Sequence, residues 1–132
     1  MTILDISSAR FFATADGKDR ATDATFDVIN PSTGQVFAQA PAVTPEQLDV
    51  VFAAANRAYG AWKRDDAFRR ASLLAAAAAV EAAVDELAPI LVAEQGKPLS
   101  DARGEIFAAG VWLRYYAELE VPREIIRDDA ER

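Results

Sequence analysis

Neither cysteine nor histidine occurs among the 132 residues. Their absence removes disulfides, thiolate nucleophiles, Cys–His and Ser–His pairs and every ordinary zinc site. Glycine is sparse: the six at 17, 34, 60, 96, 104 and 110 never take a GxGxxG or GxxxxGK spacing, so a phosphate-cradling loop is excluded. Positive charge is short as well. Fourteen basic against twenty-one acidic residues give −7, without the basic footprint that nucleic acid or an anionic membrane surface requires. The acidity serves solubility. The apolar run Leu73 to Val80 is far shorter than the roughly 20 residues of a membrane helix. The opening Met1-Thr2-Ile3-Leu4-Asp5 lacks the basic and long apolar regions of a signal peptide. The expected location is cytoplasmic.

What is present suits one domain able to bury roughly two-thirds of its unfolded surface. The apolar fraction is 52%, much of it alanine, which allows close helix contacts but contributes little area per residue. The expected fold class is α+β, mainly α: a hairpin followed by three to four packed helices.

Residues 1–24 read as a loose arm with a short strand near Arg10-Phe11-Phe12-Ala13 and a turn signal at Asp16-Gly17. Thr25-Phe26-Asp27-Val28-Ile29 and Gln35 to Ala40 alternate with period two about Asn30-Pro31-Ser32-Thr33-Gly34, which predicts a β-hairpin over 25–41. Such a hairpin needs helices or another sheet to rest on. Thr44-Pro45-Glu46-Gln47 combines a capping residue, proline at the first helical position and a capping-box glutamine. The helix it opens, over 45–63, carries Leu48, Val51, Phe52, Ala55, Tyr59 and Trp62 on one stripe. Asp65-Asp66 starts a second helix over 66–95, with a kink or restart at Asp85 or Glu86. Its Ala75–Ala79 run is apolar nearly all round, as if flanked on several sides. A third helix over 101–119 contains Gly110, where a neighbouring backbone is expected to pack close. Past Pro122 the chain reads as a short apolar patch and a charged tail.

Between the last two helices lies Glu94-Gln95-Gly96-Lys97-Pro98-Leu99. Gly96 suits a left-handed helix stop, Pro98 cannot continue the helix, and Ser100 or Asp101 is positioned to cap the next one. Lys97 belongs beside the carbonyl-rich helix end. The carboxylate pairs Asp65-Asp66, Asp128-Asp129, Glu118 with Glu120 and Glu81 with Asp85 read as helix starts, tail or solvated faces rather than catalytic dyads. Trp62, Trp112, Tyr115 and Tyr116 read as core or interface packing, and Arg69 and Arg70 as partners of acidic residues. Lys97 as a catalytic amine would need a desolvated pocket. No residue is assigned a catalytic, cofactor-binding or metal-ligating role.

Four separated stretches resemble the N-terminal quarter of aldehyde dehydrogenases. They are Phe26-Asp27-Val28-Ile29-Asn30-Pro31-Ser32-Thr33-Gly34; the Ala54-to-Trp62 helix; Arg69 and Arg70 leading into Leu73-Leu74; and Glu94-Gln95-Gly96-Lys97-Pro98-Leu-x-x-Ala-x-x-Glu105 with Tyr115-Tyr116-Ala117 downstream. The resemblance implies that residues 25–132 are the N-terminal part of an α/β aldehyde dehydrogenase fold, with the catalytic and most of the nucleotide-binding region outside it. It implies a parent enzyme that oxidises an aldehyde with NAD or NADP, through a cysteine thiolate and a glutamate absent here. The 132-residue chain alone is then expected to be inactive and to hold no cofactor. Some family members bind a monovalent cation in the regions matching Ile29 and Glu105. The corner and the Leu119-Glu120-Val121-Pro122-Arg123-Glu124 segment lean toward relatives acting on semialdehydes or other small aldehydes. The implied partners are the rest of the polypeptide and further copies of it. The alternative is a stand-alone helical oligomerisation or interaction module without activity.

Overall fold

The computed structural model describes residues 11–120, Glu124 and Ile126; expectations for residues 1–10, Pro122 and the Asp128-Asp129 pair lie outside the described residues. Two antiparallel strand pairs precede four helices, so the fold is α+β and mainly α. β1 (Ala13–Ala15) and β2 (Lys18–Arg20) form a small hairpin about Asp16 and Gly17, both at positive φ. The arm, expected to be ordered only where it packs on something, is folded from Ala13 onward, with the turn at Asp16-Gly17 and β1 against α1. The Asp16 carboxylate accepts two hydrogen bonds from the Arg57 guanidinium, at 2.9 and 3.1 Å.

β3 (Ala24–Asn30) pairs with β4 (Gln35–Ala42), the register shifting at a bulge after Val28. Asn30 builds the turn: its side chain accepts from Ser32 N–H at 2.9 Å and its carbonyl from Gly34 N–H at 2.8 Å. Thr25, Gln39 and Asp27 hydrogen-bond across one face, while Ala38 is buried on the other, the alternation expected of a half-covered sheet.

α1 (Pro45–Trp62) opens with the full Thr44–Gln47 capping box. α2 (Asp66–Ala82) is capped by Asp65, whose carboxylate accepts from Phe68 N–H at 2.8 Å. The kink or restart expected at Asp85 or Glu86 within 66–95 is a break into two helices: α3 (Val84–Gln95) restarts after Ala83, at φ −92°, ψ 4°. The Ala83 N–H is shared between the Ala79 and Val80 carbonyls, a tightened helix end. Six residues later Pro89 lacks an amide and would press on the Asp85 carbonyl in a continuous straight helix. α4 (Leu99–Glu118) starts two residues earlier than expected. Its cap position is Pro98, without a side-chain cap, and the Ser100 hydroxyl donates to Asp101 instead.

α2 and α4 make the most extensive helix contact, followed by α3 with α4. The cluster at the helix junction joins Ala88, Ala102 and Ile106, with Val80, Val84, Leu91, Val92 and Leu99 packed around them. Two apolar faces expected from sequence are only partly covered among the described residues. On α1 only Ala54 is buried, while Leu48, Phe52 and Tyr59 of the expected stripe stay exposed. On α2 only Ala77 of the alanine run is buried. Periodicity marks an apolar face, but the described residues cover only part of it.

Candidate functional site at the helix corner

The α3–α4 corner is where separated parts of the sequence meet. Gly96 ends α3 in the left-handed conformation (φ 70°, ψ 13°), its N–H donating to the Val92 carbonyl at 2.8 Å. A methyl group there would stand 2.9 Å from Pro31 Cγ and 3.6 Å from Ser32 Oγ. The corner therefore sits directly on the β3–β4 turn, and only glycine satisfies both the backbone and the space.

Lys97 and Glu105 form an ion pair from the corner to the second turn of α4. Arg103 reaches back to Asp85 on α3 at 2.6 Å. Lys97 is thus a charge-paired cation at a helix end, as its sequence context suggested, and Glu105 is committed to it. The carboxylate that lines the groove between β3–β4 and α3 is Glu94, together with Phe11, Val28, Phe37 and Ile90. That groove encloses about 160 Å³, and further ones of about 200 and 320 Å³ lie between the β1–β2 hairpin and α1. Their linings are mainly apolar and bring together no nucleophile–base pair. Among the described residues no group of three or more acidic side chains is placed to hold a metal ion.

The acidic side chains singled out in sequence at 65, 66, 81, 118 and 120 have separate partners or are exposed. Asp65 caps α2, Asp66 binds Arg69 and Arg70, and Glu118 and Glu120 are exposed. Glu81 does not face Asp85. It receives two hydrogen bonds from Arg114 of α4, at 2.8 and 2.6 Å. Hydrogen bonding to Arg114 holds the Glu81 carboxyl below its ordinary range, and the same contact raises Arg114. A carboxylate so fixed stays charged and is no proton donor near neutral pH. The Glu81 side chain crosses Gly110, where a methyl group would meet its Cγ and Oε1 at 3.0 Å. The close neighbour expected at Gly110 is thus a side chain rather than a backbone.

The aromatic residues of α4 pack on one another. Trp112 meets Tyr115 edge-on at 5.8 Å and stacks near Tyr116 at 6.2 Å. With Phe107 and Val111 they remain exposed, Phe107 by 62% and Trp112 by 57%, an uncovered apolar area of the kind that marks a contact surface.

Paired antiparallel strands leading into an alanine-packed helical layer, with an apolar face uncovered, define an α+β segment of a larger assembly of elements. The chain belongs to the aldehyde dehydrogenase family, whose model matches residues 18–126. A probable aldehyde dehydrogenase of a Pseudomonas species is 37% identical over 133 residues, covering 100% of this chain and 27% of that protein. The non-phosphorylating aspartate-semialdehyde dehydrogenase of Halomonas elongata is 36% identical, covering 86% and 24%. Among solved structures, succinate-semialdehyde dehydrogenase from Burkholderia pseudomallei superposes with a TM-score of 0.74 at 37% identity, over 83% of this chain and 23% of that one. PnpE in complex with nicotinamide adenine dinucleotide superposes with a TM-score of 0.77 at 29% identity, over 88% and 25%. The chain spans about a quarter of the length of these relatives and corresponds to their N-terminal region.

Proposed function

We propose that the chain is the N-terminal segment of an NAD(P)-dependent aldehyde dehydrogenase. The parent enzyme oxidises a small aldehyde or semialdehyde, with water and NAD(P)⁺, to the carboxylic acid and NAD(P)H. The observation that carries this reading is the family match over residues 18–126 by a chain a quarter as long as its relatives. The names of the Halomonas and Burkholderia relatives support a semialdehyde, and the dinucleotide complex of PnpE supports the cofactor class. In this reading the 132-residue chain supplies scaffold. Its corner braces the hairpin, Lys97 with Glu105 and Arg114 with Glu81 are engaged in ion pairs, and it performs no turnover alone. The remaining polypeptide covers the apolar faces of α1 and α4 in a cytoplasmic oligomer.

The exposure of those same faces supports a second reading, a stand-alone helical module whose faces cover one another between copies. One experiment separates the two. An antibody raised to residues 25–118 is used to isolate the native product from its cells, which is then sized and assayed for aldehyde-dependent NAD(P)⁺ reduction. A product several times larger than 14.3 kDa that turns over is expected. An inactive product at 14.3 kDa would overturn the enzyme reading in favour of the module, and turnover at that mass would overturn the scaffold role.

A further inference from the structure

Two consecutive arginines in the first turns of α2 share one carboxylate and diverge from it. Asp66 binds Arg69 and, at 3.0 Å, the Nε of Arg70. Arg69 Nη1 then donates to the carbonyl of Trp62, the last residue of α1, at 3.4 Å. Arg70 Nη2 donates to the carbonyl of Leu119, the residue that ends α4, at 3.4 Å. Both arginine side chains are about one-third exposed.

Helix ends leave carbonyls without partners inside the helix, and these carry the negative pole of the helix dipole. Neither α1 nor α4 has a basic residue in its last turn. Lys63 caps α1 directly, and Leu119, the residue after α4, is extended at ψ 121°, so its carbonyl has turned out of the helix. The donors that reach the carbonyls of Trp62 and Leu119 come from α2. A guanidinium suits this task because its planar fork holds a carboxylate with one edge while another N–H points elsewhere; an ammonium is a single point of charge.

We propose that Asp66, Arg69 and Arg70 form a clasp that ties the C-terminal ends of α1 and α4 to the start of α2, Arg69 serving α1 and Arg70 serving α4. Arg70 thereby fixes the direction in which the chain leaves α4. With Glu81–Arg114 further along the same helix pair, α4 is held at two polar points, and its aromatic row is presented at a set rotation.

Hydrogen exchange of individual amides in the 132-residue chain tests the clasp. The Leu119 amide, bonded to the Tyr115 carbonyl, reports the end of α4; the Asp65 and Lys63 amides, bonded to the Ala61 and Tyr59 carbonyls, report the end of α1. The Gly96 amide, bonded to Val92, reports opening elsewhere. Arg70→Lys is expected to speed exchange at Leu119 several-fold with Asp65 and Lys63 unchanged. Arg69→Lys should do the reverse, and Asp66→Asn should loosen both ends, Gly96 staying constant throughout. Equal acceleration at all four amides, or no change at either helix end in Asp66→Asn, would overturn the clasp.

Discussion

Gly96 and Pro31 lie 65 residues apart in sequence, yet the proline ring occupies the space a side chain at 96 would need, 2.9 Å from the position of a Cβ. The corner and the hairpin turn are therefore one unit of packing.

Replacing Gly96 with alanine should cost about 2 kcal/mol or more, combining a left-handed backbone with a contact that has to open. Gly34→Ala serves as the comparison. It has the same sign of φ (69°) with nothing within 4 Å, so about 1 kcal/mol is expected. Urea denaturation of both variants gives the two values, and equal losses would mean that Pro31 yields freely.

Gly110→Ala should change sign with its neighbour. In the native sequence the new methyl group meets Glu81 at 3.0 Å, and Arg114 holds that side chain in place, so destabilisation is expected. In the Glu81→Ala background the obstacle is gone and alanine's better helix propensity should stabilise by up to about 1 kcal/mol. A double-mutant cycle by denaturation measures the reversal.

Acid should weaken the fold partly through Glu81. Its folded-state pKa lies below the ordinary value because of Arg114, so the unfolded chain binds its proton first as pH falls. The contribution is fully present above the unfolded carboxylate range, about 4.3, and is lost as pH falls through the folded value. Glu46, lowered by backbone amides at the start of α1 and by Thr44, acts with the same sign. Glu81→Gln should flatten the fall of the urea midpoint below about pH 4.3; an unchanged slope would remove Glu81 from the account.

Arg57→Ala should release the β1–β2 hairpin without unfolding the rest. The Asp16–Arg57 pair is exposed, by 44% and 63%, and pairs of this kind contribute about 0.2–1 kcal/mol. Faster amide exchange confined to residues 13–20, with a global loss under about 1 kcal/mol, is the expected pattern.

Signals that depend on a few adjacent atoms were legible in sequence. Thr44 to Gln47 spelled out a capping box, Asn30 to Gly34 a hairpin turn and Gly96 a helix stop, and each forms through local hydrogen bonds. A kink or restart was legible at Asp85 or Glu86, but its place at Ala83 was not, because alanine carries no cap or turn chemistry. Pro89 was a further clue, six residues downstream. The start of α4 moved from Asp101 to Leu99 because Pro98 already holds the cap conformation. Arg114 as the partner of Glu81 is a contact between distant turns that no spacing encodes. The exposed stripe of α1 shows the same limit from the other side, since a period gives the face and not its cover.

Among the described residues the buried apolar ones are Ala15, Ala38, Ala54, Ala77, Ala88, Ala102, Ile106 and Ala117, and none of the largest side chains is fully enclosed. A core of methyl groups releases little hydrocarbon to water when it opens. Calorimetry on the isolated chain should therefore give a heat-capacity increment well under the roughly 1.6–2.0 kcal/mol/K usual for its length. Its stability would then vary only gently with temperature, and its melting would spread over a wide interval.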